Sequence, residues 1–254
     1  MIIIKSPREI ELMRRAGKVA ARARALAAEM VAPGVKTAQI DREVKRFIES
    51  CGAVPTFLGY GGFPASTCIS VNEVVIHGIP GNKVLKDGDI VSIDVGATLG
   101  GYVGDCATTV PCGKISEEAA HLIEVTRESF FNCLSVVKEG YRVSDIGKSI
   151  SEYVEKQGFS VVRDYVGHGI GRSMHEAPEV PNYYTKRHSQ RLQSGMTLAI
   201  EPMISAGDYK VRVLADKWTV VTADGSLSAH YENTVAITDS EAEILTVSEN
   251  TNGL

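Results

Sequence analysis

Two aspartates, Asp94 and Asp105, lie eleven residues apart on either side of a glycine-rich stretch. Asp94 closes an apolar run that begins at Ile90 and has the composition of a buried strand. A carboxylate in such a place is costly unless it is paired or binds a cation. A short hairpin through the glycines would bring Asp105 beside Asp94. Taken alone, each aspartate is more often a cap or turn residue, so a cation site needs support from elsewhere in the chain.

That support comes from two glutamates, Glu201 and Glu232, in matching places later in the sequence. Glu201 ends the apolar stretch LAIE, and Glu232 precedes a stretch rich in Val, as Asp105 does. A pseudo-twofold axis relating the two parts would bring all four carboxylates together. Like charges a few ångströms apart cannot all stay ionised, and two divalent cations would resolve the conflict.

A fifth candidate ligand is His168, which glycines flank closely in the stretch GHGIG. Such crowding suggests a fixed imidazole, although a histidine in a plain glycine loop is the alternative. His168 has no counterpart in the first part of the chain, so one metal would gain a nitrogen ligand. An oxygen-rich ligand set with one nitrogen favours cobalt, manganese or iron, with zinc as a further alternative.

Two more histidines, His77 and His175, are each followed by a proline three residues later, at roughly corresponding places. Neither is needed to complete the metal ligands. They could donate protons or hydrogen bonds to a substrate. The alternative is a pair of structural histidines.

The elements that must position these residues occur twice. The stretch from Pro33, PGVKTAQIDREVKRFIESCGAV, aligns without gaps with EGYRVSDIGKSISEYVEKQGFS from Glu139, at an offset of 106 residues. Both stretches have apolar residues at helical spacing. Further on, LKDGDIVSID, which ends at Asp94, resembles LQSGMTLAIE, which ends at Glu201, at an offset of 107. Both copies read as helix and then strand.

This order predicts an α+β fold, with helices packed on one face of a largely antiparallel sheet. We expect a single domain of residues 1–254, built from pseudo-symmetric halves of about 6–112 and 113–248. A capping box at Ser6, with Pro7 at the first helical position, predicts where the first helix begins.

Composition excludes several classes of protein. A formal net charge of -4 argues against a general nucleic-acid or membrane-surface binder. No stretch approaches the roughly 20 apolar residues of a membrane span, and the apolar run at the N-terminus is too short for a signal peptide. The five cysteines are odd in number and lack C-x-x-C spacing, which predicts reduced thiols in a cytoplasmic protein.

With these residues in view, the sequence resembles the type I methionine aminopeptidases of bacteria, a group within peptidase family M24. The resemblance runs from about Ile3 to Leu245. Its motifs are SVNEVVIHGIP, LKDGDIVSIDVG, GYVGDCA, YVGHGIG, MHEAP, MTLAIEPM and WTVVTADGSLSAHYENT. It implies the pita-bread fold, with a curved sheet and an internal pseudo-twofold axis. It also implies that two divalent metal ions are bound by Asp94, Asp105, His168, Glu201 and Glu232.

The resemblance further implies an activity, the removal of the initiator methionine from new polypeptides whose second residue is small. Glu201 would be the general base as well as a ligand, His175 would stabilise the carbonyl oxygen of the tetrahedral intermediate, and His77 would contact the scissile amide nitrogen. For the aromatic pocket residues, ordinary core packing is the alternative. The residues expected around the methionine side chain are Phe57, Tyr60, Phe63, Cys68, His77, Met174, His175 and Trp218.

Three positions depart from the family pattern. Met174 stands where an aromatic residue is common, which predicts a looser pocket wall. Gly61 stands where a larger polar residue is frequent. Asn233 stands where histidine is frequent, and this change could alter the support of Glu232.

Two alternatives stay open. A proline-directed peptidase of the same fold usually carries an additional N-terminal domain, for which this chain has no room. A metal-free binding module would typically lack several ligands. The expected partners are nascent polypeptide N-termini, with neither DNA nor membrane, and the protein is expected to be a monomer. The basic face of Arg14, Arg15, Lys18 and Arg22 could dock on ribosomal RNA, although a solvated helix face is the more common explanation.

Overall fold

The computed structural model describes residues 2–185 and 189–247, so the expected end of the second half at residue 248 lies outside the described residues. The helices are α1 (Pro7–Glu29), α2 (Thr37–Ser50), α3 (Glu117–Cys133) and α4 (Val143–Lys156), with short 3-10 helices at Tyr60–Gly62 and Leu134–Val136. The strands are β1 (Val54–Pro55), β2 (Cys68–Val71), β3 (Val74–Ile76), β4 (Ile90–Leu99), β5 (Tyr102–Pro111), β6 (Ser160–Val161), β7 (Gly167–Gly169), β8 (Glu176–Val180), β9 (Thr197–Ile200), β10 (Met203–Ser205), β11 (Val211–Val213), β12 (Val220–Thr222), β13 (Ser228–His230), β14 (Glu232–Ala236) and β15 (Glu243–Ile244).

Helix α1 begins where the sequence predicts. The Ser6 hydroxyl accepts the backbone N–H of Glu9, and the Glu9 carboxylate accepts the backbone N–H of Ser6, which completes the capping box. Pro7 takes the first position, where no intrahelical N–H bond is lost.

A central sheet joins the two parts of the chain in the order β1-β4-β5-β14-β9-β7-β8, with β2 on β4 and β15 on β14. The recorded pairings are antiparallel. Smaller sheets, β13-β10-β6 and β11-β12-β3, flank it. The α+β prediction is therefore confirmed.

Residue alternation divides the central sheet into two faces. On β4, Ile93 and Val95 belong to a core with apolar residues of α1 and α2, and Cys106 of β5 joins them. Asp94 and Asp105 sit at the alternate positions and point to the opposite face. The helices therefore cover one face, and the carboxylates occupy the other.

Helix α1 lies unusually close to β5, and this closeness depends on two glycines. A Cβ on Gly104 would lie 2.5 Å from the Cα of Gly17, and a Cβ on Gly17 would lie 2.3 Å from the Leu245 carbonyl oxygen. Because neither side chain could be accommodated, the glycines allow the helix to brace the middle of the sheet.

The two expected halves have matching elements. The bounds of α4 lie 106 positions after those of α2, the offset found in the sequence. An isolated bridge between Lys36 and Val84 has a counterpart between Arg142 and Arg191. These matches support the proposed division of one domain into two halves.

The strands around the aspartates extend further than the sequence suggests. Asp94 was expected at a strand end, but β4 continues to Leu99, so Asp94 lies in mid-strand. The continuation pairs with β5 along its whole length and, near Thr98, with β1. The hairpin partner β5 and the more distant strand β1 therefore extend β4 past the glycine that the local pattern reads as an end.

None of the helices in the described part of the chain combines the length and the apolar character that crossing a bilayer requires.

Candidate metal centre

The carboxylates are brought together by the pairing of three strands. Asp94 of β4 and Glu232 of β14 are both in register with Ala107 of β5. Asp105 is two residues before Ala107 and so points to the same face. The expected hairpin between Asp94 and Asp105 is present, with its turn at Gly100 and Gly101.

His168 and Glu201 reach this cluster from the neighbouring strands β7 and β9. The Nε2 atom of His168 is 3.5 Å from Oε1 of Glu201 and 3.8 Å from Oδ2 of Asp105. Single ligand atoms of Asp105, His168 and Glu232 all lie within 4.8 Å of one another. All five expected ligands therefore surround one small volume.

Several oxygen atoms in this volume have no hydrogen-bond partner among the described residues. These buried atoms are Oδ1 of Asp94, Oδ1 of Asp105 and Oε1 of Glu232. A buried acceptor without a partner is costly, and an anionic one more so. Divalent cations would satisfy these atoms and balance their charge, so the donor set fits a metal site.

Burial and mutual repulsion also disfavour the charged carboxylates. Burial raises the pKa of Asp94 to about 7. The pKa values of Asp105, Glu201 and Glu232 lie well above their ordinary range, because of burial first and the neighbouring carboxylates second. This is the electrostatic imbalance that bound cations correct.

His168 is oriented for coordination through Nε2. Its Nδ1 lies 2.9 Å from the Gly169 carbonyl oxygen, which can only accept, so Nδ1 carries the proton. Burial lowers the pKa of His168 to about 4, with a smaller contribution from His175. The imidazole is therefore neutral near pH 7 and presents an unprotonated Nε2 to the carboxylates.

One cavity, of about 150 Å³, unites the candidate ligands with the candidate substrate residues. Its apolar wall includes Phe63, whose ring contacts Trp218 edge-on at a centroid distance of 5.1 Å. The sequence-predicted residues that line the cavity are Phe57, Tyr60, Phe63, Cys68, His77, Asp94, Asp105, His168, Met174, His175, Glu201, Trp218 and Glu232.

His77 holds its ring in the cavity at a conformational cost. Its φ of 58° lies in the left-handed region, which a side chain with a Cβ adopts rarely. The ring contacts Tyr165 and Trp218 edge-on. Burial lowers the pKa of His77 to about 4, so this ring too is neutral near pH 7.

His175 is held from the rim of the cavity. Its Nδ1 is 2.7 Å from the hydroxyl of Tyr60, and its ring centroid is 4.3 Å from that of His168. Burial lowers the pKa of His175 below its ordinary value. If the Tyr60 hydroxyl donates to Nδ1, the proton of neutral His175 resides on Nε2.

The loop that carries Met174 and His175 is secured by an ion pair that the sequence did not reveal. The Lys5 ammonium lies 2.6 Å from Oε2 of Glu176, and their side chains are only 3% and 7% exposed. The other Glu176 oxygen accepts the backbone N–H groups of Arg172 and Ser173. Because Lys5 and Glu176 are 171 positions apart, no local pattern could indicate the pair.

The three departures from the family pattern have separate consequences. Met174 is buried in the apolar wall. A Cβ on Gly61 would lie 3.3 Å from the Trp218 ring, so its absence leaves room at the rim. The Asn233 side chain points to the helix-covered face, where its Oδ1 accepts from Arg24 and from Thr246. Asn233 thus supports β14 from behind the carboxylates.

His230 is the residue of the centre that sequence analysis missed. Its Nε2 is buried without a hydrogen-bond partner among the described residues and lies 3.9 Å from both Oε2 of Glu201 and Oε2 of Glu232. Burial lowers its pKa to about 3. A signal was available, because residues two apart in an extended chain share a face and His230 precedes Glu232 by two.

The sequence of this chain is similar to those of known metallopeptidases. The sequence profile of metallopeptidase family M24 matches residues 11–239. A methionine aminopeptidase of Clostridium acetobutylicum is 56% identical over 98% of this chain and 100% of its own. Methionine aminopeptidase 1 of Bacillus subtilis is 51% identical over 97% of this chain and 99% of its own.

The fold of this chain is also similar to those of solved structures. The methionine aminopeptidase of Thermotoga maritima superposes with a TM-score of 0.95 at 48% identity, covering 97% of this chain and 99% of that one. A prolidase from Pyrococcus furiosus, at 24% identity and a TM-score of 0.79, shares the fold alone, and this chain spans 66% of it. The pita-bread prediction is confirmed. The chain belongs to metallopeptidase family M24 and, within it, to the methionine aminopeptidases.

Proposed function

We propose that this protein removes the N-terminal methionine from polypeptides whose second residue is small, by metal-dependent hydrolysis of the first peptide bond. The observation that carries the proposal is a cluster of carboxylates with unpartnered buried oxygens in a cavity with an apolar wall. The cluster suits metals, and the wall suits an unbranched apolar side chain.

Two divalent ions are proposed, held by Asp94, Asp105, His168, Glu201 and Glu232. When bound, they would lower the pKa of a water molecule and polarise the carbonyl group of the scissile bond. Cobalt, manganese and iron are the preferred candidates, with zinc as a further one, because the set is rich in oxygen and His168 contributes a nitrogen.

The chain's own residues would orient the peptide and move the protons. Glu201 lines the cavity beside the other candidate ligands, where its carboxylate would accept a proton and pass it on. His175, with its proton on Nε2, would donate a hydrogen bond to the carbonyl oxygen as negative charge develops there. His77 would contact the amide nitrogen of the bond that breaks.

The methionine side chain is proposed to lie against Phe63, Cys68 and Trp218. Phe63 and Trp218 meet edge-on, and thioether sulfur interacts favourably with aromatic ring edges. Phe57 and Met174 extend the same apolar surface.

The proposed substrates are nascent polypeptide N-termini in the cytoplasm, where all five cysteines would stay as the free thiols seen here. A monomer is proposed. Docking of α1 on ribosomal RNA is a weaker proposal, since Arg14 pairs with Glu243 and Arg22 stacks on Phe47.

The test uses metal-stripped protein with Mn, Fe, Co or Zn added back separately. We expect cleavage of Met-Ala-Ser, and little of Met-Leu-Ser, with at least one metal. An Ala-Pro dipeptide serves as the control for prolidase activity. Absence of methionine release with every metal, or preferential cleavage of the proline substrate, would contradict the proposal.

A further inference from the structure

The environment of His230 indicates a role in the metal centre that differs from that of the five candidate ligands. The residue lies on β13, outside the central sheet, and its backbone is fixed from both sides. Its N–H donates to the Thr109 hydroxyl and its carbonyl accepts from the same hydroxyl, each at 2.9 Å. On the other side it pairs with Met203. The imidazole is therefore presented at a defined place.

The side chain is 2% exposed, and its Nε2 faces two of the carboxylates. Nε2 has no hydrogen-bond partner among the described residues, and it is equally distant, at 3.9 Å, from Oε2 of Glu201 and Oε2 of Glu232. A buried polar nitrogen is seldom left unsatisfied, and the facing groups are strong acceptors.

The position of the ring proton separates His230 from His168. In His168 the Gly169 carbonyl holds the proton on Nδ1, which leaves Nε2 free to coordinate. Within residues 2–185 and 189–247, Nδ1 of His230 makes no such bond. Two carboxylates facing Nε2 therefore attract the proton to that atom, which makes it a donor and not a ligand.

We propose that His230 is a positioning residue of the metal centre. Its Nε2–H, whose nitrogen lies 3.9 Å from each carboxylate in this structure, donates to Glu201 and Glu232 when metal is bound and holds them in the orientation that binds metal. Carboxylates that bind metals are commonly held by hydrogen bonds of this kind. The inference rests on the proposed metal-dependent function and adds a residue to it.

The test compares His230→Gln, whose amide nitrogen can still donate, with His230→Leu, which cannot. His121→Leu, at an exposed histidine of α3, is the matched control. Mn²⁺ binding to each metal-stripped protein is measured by calorimetry, and kcat and KM are measured on Met-Ala-Ser. Circular dichroism and thermal melting establish that each variant is folded.

We expect His230→Leu to weaken Mn²⁺ binding by about 10-fold or more and to lower kcat with little change in KM, the size of effect typical for groups that support ligands. His230→Gln should retain both properties within about threefold, as should His121→Leu. A glutamine variant as impaired as the leucine variant, or a leucine variant that binds Mn²⁺ like the native protein, would overturn the proposal.

A second measurement needs no variant. In zinc-loaded protein carrying ¹⁵N-histidine, the ring nitrogens report their protonation by chemical shift, and we expect Nε2 of His230 to carry a proton. An unprotonated Nε2 would overturn the donor role. Protein that shows this proton and the metal-binding pattern, yet releases no methionine, would contradict the proposed function and leave the inference about His230 in place.

Discussion

Asp94 and Glu232 are in register with the same residue, Ala107, from opposite sides of strand β5. The methyl group of Ala107, the smallest side chain, therefore lies between two carboxylates that are expected to share metal ions. We expect the site to depend on this space as well as on the carboxylates.

Ala107→Val should damage the centre without removing a ligand. The two added methyl groups would enter the space between the carboxylates, and overpacking costs about 1–3 kcal/mol, or roughly 5- to 150-fold in affinity. Calorimetry with Mn²⁺ measures the loss. Ala223→Val, at an exposed position, is the control, and native affinity in Ala107→Val would contradict the interpretation.

Tyr60→Phe should lower kcat by about 2- to 10-fold, since a single hydrogen bond contributes about 0.5–1.5 kcal/mol net. The loss follows because the Tyr60 hydroxyl no longer holds the His175 ring through Nδ1. Metal content, measured in parallel, should stay native. Tyr184→Phe, at an exposed tyrosine elsewhere, should leave kcat unchanged.

His77→Ala and His175→Ala should each lower kcat by about 10²-fold or more, because each removes a group that would contact the reacting amide. Metal stoichiometry, determined on the same samples, should equal that of the native protein. Loss of metal would instead make these histidines ligands or structural residues.

Lys5→Met should destabilise the protein by about 3–5 kcal/mol, because it leaves the buried Glu176 carboxylate without its ammonium partner. The double variant Lys5→Met/Glu176→Gln should lose less, since a neutral amide oxygen can still accept the N–H groups of Arg172 and Ser173. Urea unfolding of the four proteins in a double-mutant cycle gives the coupling. A double variant as unstable as the sum of the single ones would show that the pair is not coupled.

Glu9 should make the protein sensitive to acid. The Ser6 N–H and the hydroxyls of Tyr102 and Ser6 lower the pKa of Glu9 from 4.5 to about 2. The contribution of ionised Glu9 to the free energy of unfolding is thus fully present above pH 4.5 and is lost as the pH falls through about 2. The difference in unfolding free energy between native protein and Glu9→Gln should shrink over that window. Glu139→Gln, at an exposed position, should show no such change.

Chelation should lower the melting temperature. A ligand at 100 times its Kd stabilises a protein by about 2.7 kcal/mol, which corresponds to roughly 5–10 °C for a chain of this size. Thermal melts with EDTA and with excess Mn²⁺ measure the shift. Equal melting temperatures would contradict a metal site among the unpartnered carboxylate oxygens.

Much of this molecule could be predicted from local signals. The capping box at Ser6 gives the start of α1, and apolar spacing gives α2 and α4. Alternation along the apolar run at Ile90 and the glycines after it give the β4–β5 hairpin and the common face of Asp94 and Asp105. The repeat, at an offset of 107 residues here, relates Glu201 to Asp94. Glu232 is indicated because it precedes a Val-rich stretch, as Asp105 does.

Other features were decided only in the folded chain. Which strand lies between Asp94 and Glu232, and hence the role of Ala107, depends on the pairing of β5 with β14 across the two halves. Lys5 reaches Glu176 from 171 positions away, and His230 enters the centre from a separate sheet. Periodicity and turn residues act over a few positions, and together with the repeat they were enough for the sequence by itself to determine the candidate ligands. Burial and long-range strand pairing decided what surrounds each of them, and with it their charge, their protonation and the space between them.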